Sequence, residues 1–184
     1  MRLTSILLLA GMGGVCLAQQ PAGVQQGFAT LADQPATHTA FSFDKNAMQL
    51  AQGMLAANGM DPDRAAAALH GITVENYRYA EPAFYTPEAM DGLLAAYKAA
   101  GWKHLVNGHQ NSANTAQPKQ VATDLWLHFT GADIDGVTVL TRGAKMMNVI
   151  EMSCDLRPLD LVHLSGHFGI PKVDPNALMV PDGR

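Results

Sequence analysis

Histidines and acids give this chain its first chemical interest: seven His and sixteen Asp or Glu in 184 residues. Asp160, His163 and His167 are separated by three and four positions. On a helix that spacing places them on one face, where two imidazoles and a carboxylate could converge on zinc or copper. Gly166 lies between the two histidines, however, and a helix ending at Leu164 or Ser165 would turn His167 away, leaving surface histidines on a terminal helix. His104, His109 and His128 fall on neighbouring strand segments, where His104 and His128 could face one another across a hairpin; solvent-facing strand positions account for them equally well. Asp133 and Asp135 flank a turn before Gly136, but a calcium loop beginning at Asp133 would end at Ala144 where a glutamate is needed, so a solvated turn is the better reading.

Cys154 closes the apolar run Met146, Met147, Val149, Ile150 and Met152, which points to a buried thiol and away from a nucleophile. The methionines read as soft core filling. Tyr77, Tyr79, Phe84 and Tyr85 gather around Pro82. Aromatic packing is the default for such a group, and a ligand groove or peptide-docking edge is its functional alternative. The chain has no glycine-rich phosphate loop, no Gly-x-Ser-x-Gly elbow, no His-Glu-x-x-His helix and no paired-cysteine zinc spacing. No catalytic residue and no cofactor is assigned.

The elements that would position these residues follow from punctuation and period. Arg2, the apolar run beginning at Ile6, and the small residues Cys16 and Ala18 read as a signal peptide over 1–18, cleaved before Gln19. Cleavage leaves Cys154 alone, so no intramolecular disulfide can form in an oxidising compartment. Residues 19–37, rich in Gln, Ala and Pro, read as a flexible arm, 38–171 as a single α+β domain, and 172–184 as a polar tail. Ala40–Phe43 is a short strand. Asp44 caps a helix stopped by Asn58-Gly59, and Asp61-Pro62 opens another that ends at His70-Gly71. Ile72–Tyr79 is a strand, Thr86-Pro87 opens the clearest helix, Gly101 stops it, and a strand over 102–109 follows. Segments 121–129, 134–141 and 145–153 are closely spaced strands, the first half-buried with Asp124, Trp126 and His128 on its outer side; a helix over 158–164 comes last. The order gives an α+β fold: a mostly antiparallel sheet of about five strands, helices packed on one face, and one β-α-β crossover over 72–109.

Several stretches in this order resemble the bacterial secreted family known as domain of unknown function 4252. They are Gly71-Ile72-Thr73-Val74-Glu75-Asn76-Tyr77, Gly101-Trp102 before a strand, Ile134-Asp135-Gly136-Val137-Thr138-Val139, and Leu161–Leu164 leading into Gly166-His167-Phe168-Gly169-Ile170-Pro171. The resemblance implies an exported α+β domain and no assigned activity, and glycine is frequent in that family near the position of Cys154.

The formal charge of −4 excludes the basic surface that nucleic acid requires. No run approaches the roughly 20 apolar residues of a transmembrane helix. The expectation is therefore an exported, periplasmic or extracellular, non-catalytic module that binds a protein or peptide partner of the envelope, whose sheet edges could accept a strand. A metal-dependent or His/Asp hydrolase and an envelope stress or pH sensor are the alternatives.

Overall fold

The structure, a computed structural model, describes residues 24–105, 121–167, 169–170 and 172. Eleven elements follow in order: α1 (Val24–Ala29), β1 (Thr37–Ser42), α2 (Lys45–Ala57), α3 (Pro62–Ala68), β2 (Leu69–Arg78), α4 (Pro87–Ala99), β3 (Lys103–Leu105), β4 (Ala122–Thr130), β5 (Asp133–Arg142), β6 (Met146–Leu156) and α5 (Asp160–Leu164). The six strands form one sheet in the order β1-β2-β6-β5-β4-β3, every described pairing antiparallel. The α+β class and the mostly antiparallel sheet are as the sequence predicts, with six strands instead of about five; α2, α3 and α5 form the helical layer on one face, and α4 and α1 pack against the other. No helix among the described residues is long and apolar enough to cross a membrane.

Helix starts follow the capping chemistry. The Asp44 carboxylate accepts from Ala47 N at 2.8 Å, and Asp61 accepts from Asp63 N and Arg64 N ahead of a helix with Pro62 in its first turn. The expected stop at His70-Gly71 is corrected. Helix α3 ends at Ala68 and the chain enters β2 at once, because His70 and Gly71 belong to a ten-residue strand that carries a bulge between Leu69 and Gly71.

The apolar layer is built by α2, α3 and α5. Ala51, Leu55, Ala65, Ala68, Leu161 and Leu164 meet the strand residues Ile72, Leu125, Leu127, Val137, Val139 and Met152. Each fully buried Leu, Ile, Val or Met side chain here removes surface worth about 1.5–3 kcal/mol from water, and each alanine less. The alternate residues of the same strands form a second cluster: Tyr77, Trp126, Leu140, Met147 and Val149, with Met90, Leu93 and Tyr97 of α4 and with Val24 and Phe28 of α1. The half-buried reading of β4 is therefore corrected: Leu125, Trp126 and Leu127 are all buried, because Tyr97 of α4 stacks on Trp126 with centroids 4.7 Å apart.

The arm expected over 19–37 is also corrected from Val24 onward; residues 19–23 lie outside the described residues. Val24, Phe28 and Leu31 recur at helical spacing and are buried in the second cluster, and Ala32 bridges to Tyr85. The Gln and Ala around them hid the stripe. The signal peptide expected over 1–18 and the polar tail expected over 172–184, apart from Lys172, likewise fall outside the described residues.

The crossover β2-α4-β3 joins strands that point the same way, but β6, β5 and β4 lie between them, and no two neighbouring strands are parallel. Gly101, with φ +82°, reverses the chain after α4, and Trp102 N–H donates to Tyr97 O at 3.0 Å. That turn fixes Trp102 at the mouth of the polar face described next.

Candidate functional site

Strand pairing places one set of polar side chains on the face that carries the second cluster. Opposed residues in an antiparallel pair share a face. The register Trp126↔Thr138, Thr138↔Glu151 and Glu151↔Thr73 thus runs one polar row across β4, β5, β6 and β2. Asp124, His128, Ser153, Gly71 and Glu75 stand two residues along from members of that row, and Arg142 four, on the same face.

At one end sits a fully buried ion pair. Arg142 Nη2 donates to Asp124 Oδ2 at 2.9 Å, with the two side chains 0% and 1% exposed. The second carboxylate oxygen of Asp124 lies 3.1 Å from His104 Nε2. His104 also stacks on Trp126, at 4.9 Å between centroids, while the Arg142 guanidinium lies 5.7 Å from the Tyr85 ring centroid. His104, Trp102 and Trp126 line a cavity of about 620 Å³ with Leu94, Lys98 and Lys103, between α4 and β3.

At the other end Trp102 also walls a smaller cavity of about 150 Å³, lined by Gly71, Thr73, Glu151 and Ser153. Glu151 Oε1 is buried and has no hydrogen-bond partner among the described residues. Burial, and then the charge of Glu75, push the Glu151 carboxyl up to about 7. Glu75 is itself engaged: Tyr77 Oη donates to its Oε2 at 2.6 Å, and His38 Nε2 lies 3.1 Å from the same oxygen with its ring stacked on Tyr77. Behind Trp102, His128 Nδ1 lies 2.6 Å from Asp135 Oδ1, and Thr130 Oγ1 donates to Oδ2. Burial raises the Asp135 carboxyl, but these two hydrogen bonds outweigh it and leave it below the usual range.

Asp160 and His163 each have partners outside the Asp160, His163 and His167 set. Asp160 is buried and receives Arg64 Nη2 at 2.8 Å and Arg157 through its backbone N–H, Nε and Nη2. Burial pushes this carboxyl up, and the hydrogen bonds from Arg157 and Arg64 more than reverse that, bringing it to about 2. His163 Nδ1 lies 2.9 Å from Asn58 O, and α5 stops at Leu164, before His167. Among the described residues no group of three His, Cys, Asp or Glu side chains is arranged to hold a metal ion. His104 and His128 share a face, each with its own carboxylate, and His109 lies outside the described residues.

The aromatic group divides. Tyr77, Tyr79 and Tyr85 are buried, Tyr79 and Tyr85 packing edge-on, and Tyr85 Oη lies 2.7 Å from Gly143 O. Burial raises the Tyr79 hydroxyl to about 12. Only Phe84 of the four is exposed. Cys154 is buried, its Sγ 3.4 Å from Ile134 O, and burial pushes its thiol up, the opposite of an activated nucleophile.

Glu151, Glu75 and Arg142 are not among the site residues that the sequence suggests. The available signal was period: in β6, Glu151 alternates with Ile150 and Met152, which marks the face it shares with Val149 and Met147. Comparison with family models, with curated proteins and with solved structures finds no match to this chain. The arrangement offers a sheet edge and two cavities walled by Trp102, and its described histidine–carboxylate contacts join separate pairs.

Proposed function

We propose that this protein is an exported, non-catalytic module that binds an extended peptide segment of an envelope partner as an added strand beside β1. The edge strand itself carries the reading. Thr37–Ser42 is exposed at all six positions, contains no proline or charged Asp, Glu, Lys or Arg, and lies at the end of the strand order. Natural edges are usually blunted by such residues, so an unprotected edge of this length is a ready template for strand addition. Phe41, 51% exposed and stacked on Phe43, gives the incoming strand an apolar shelf on one side, while His38 and Ser42 give it a polar one. Export rests on the leader pattern of residues 1–18 and on the resemblance to the secreted family.

The register supplies the test. Phe43 N–H donates to Ile72 O, so by alternation the backbone groups of Thr37, Thr39 and Phe41 face β2, and those of His38, Ala40 and Ser42 face outward. Ala40→Pro removes an outward donor and leaves the β1–β2 ladder whole. An array of extended peptides with alternating apolar residues should retain the full-length chain and lose it on this substitution, with hydrogen exchange slowed at His38, Ala40 and Ser42 when peptide is bound. Equal retention of the Ala40→Pro chain, or unchanged exchange at those amides, would overturn the proposal.

A second reading, an envelope pH sensor, is favoured by one observation: the pairs His38–Glu75, His104–Asp124 and His128–Asp135 all lie on one face. Its mark would be exchange protection in β1 and β3 that changes between neutral and mildly acidic buffer.

A further inference from the structure

We infer that the cavity between Glu151 and Trp102 is a binding site for a guanidinium group, with the Glu151 carboxylate as its counter-ion and the Trp102 ring as its wall. Its volume of about 150 Å³ suits a small planar group. Its lining combines the residues Glu151, Ser153, Trp102 and Gly71 with Thr73, whose hydroxyl also meets Ser42 Oγ at 3.1 Å, and with Val137 and Met152. A planar cation that donates in a fork and stacks on an aromatic face matches that set, whereas a compact ammonium would use only the carboxylate. Glu151 Oε1 has no hydrogen-bond partner among the described residues, so the acceptor is available to an incoming donor. Gly71 keeps the floor open: a Cβ there would meet Ser153 Oγ at 3.0 Å.

The charged groups bearing on Glu151 favour a cation. Glu75 on β2 adds negative charge, although His38 and Tyr77 share its carboxylate, and His128 behind Trp102 is paired with Asp135. Burial and Glu75 hold the Glu151 proton to about pH 7, so the site strengthens as pH rises through that value.

The experiment is an NMR titration of the full-length chain with methylguanidinium chloride, with urea as the neutral planar control. The expected result is saturable shifts at the Trp102 indole and the Glu151 and Ser153 amides, stronger at about pH 8 than at about pH 6, and affinity reduced about tenfold or more in Glu151→Gln. Gly71→Ala, which narrows the cavity without touching charge, should also weaken binding. The tripeptide Gly-Arg-Gly distinguishes a side chain from a free ligand: binding at least as tight as methylguanidinium marks an arginine presented by a partner, and binding of methylguanidinium alone marks a small molecule. No saturable shift below about 50 mM, equal binding of urea, or unchanged affinity in a folded Glu151→Gln chain would overturn the inference.

Discussion

The two faces of the central strands solve burial in different ways. On one, Leu125, Leu127, Val137, Val139 and Met152 pack in an apolar cluster with residues of α2, α3 and α5, and the buried Asp160–Arg64 pair sits within the helical layer itself, between α5 and α3. On the other, one step along the same strands, Trp126, Leu140 and Val149 share the layer with Asp124, Arg142 and Glu151. Apolar burial stabilises without direction, whereas a buried charge is tolerated only where its partner is placed. The first face can therefore be built from any well-packed aliphatic set, while the second depends on particular pairs, and the cavities lie there. Among the strand residues themselves, the buried Asp124–Arg142 pair and Glu151 all lie on the second face.

Breaking the second face at its ion pair should give the largest effect. Arg142→Met leaves Asp124 buried beside His104 alone and should cost roughly 3–5 kcal/mol in chemical denaturation, while the double variant Asp124→Leu/Arg142→Met recovers most of that loss. A small cost for the single variant would mean that the two faces are not energetically distinct. Next comes Phe28→Ala, which empties the α1 contact with Tyr97 and should cost about 3–4 kcal/mol; a loss under about 1 kcal/mol would return residues 24–31 to the status of an arm.

Two smaller effects have opposite pH signatures and sharpen the contrast. Asp160 has its carboxyl lowered to about 2, so its contribution is present above the ordinary value of 3.8 and lost as pH falls through about 2. Asp160→Asn should therefore destabilise at neutral pH by about 1–2 kcal/mol, allowing for solvent screening at Arg157, and converge with the parent near pH 2. Glu151 has its carboxyl raised to about 7, so the folded state binds the proton more tightly and stability falls as pH rises from 4.5 to about 7. Glu151→Gln should be the more stable chain at about pH 8, by roughly 1 kcal/mol after the same allowance, with no advantage near pH 4.5. Melting curves from about pH 2 to about pH 8 would check both signs.

Local punctuation made much of the architecture legible. Asp44, Asp61-Pro62, Thr86-Pro87 and Gly101 marked helix ends because caps and left-handed turns depend on a few adjacent residues. The buried environment of Cys154 followed from its apolar run. Phe28 and Trp126 were harder to read. A short amphipathic stripe among glutamines, and an indole alternating with Asp and His, look solvent-facing until another element is known to cover them.

The sequence by itself determined where the capped helices start, which class of fold the elements make and which familiar catalytic motifs are missing, since all of these are written in near neighbours. Only the tertiary structure decided which carboxylates His38, His104 and His128 meet, that Asp160 belongs to two arginines, and that Glu151 and Trp102 share a cavity. The physical reason is separation along the chain. Arg64 is 96 residues from Asp160, and His38 is 37 from Glu75. Such partners are chosen by strand order and register, and neither is encoded in any single stretch of residues.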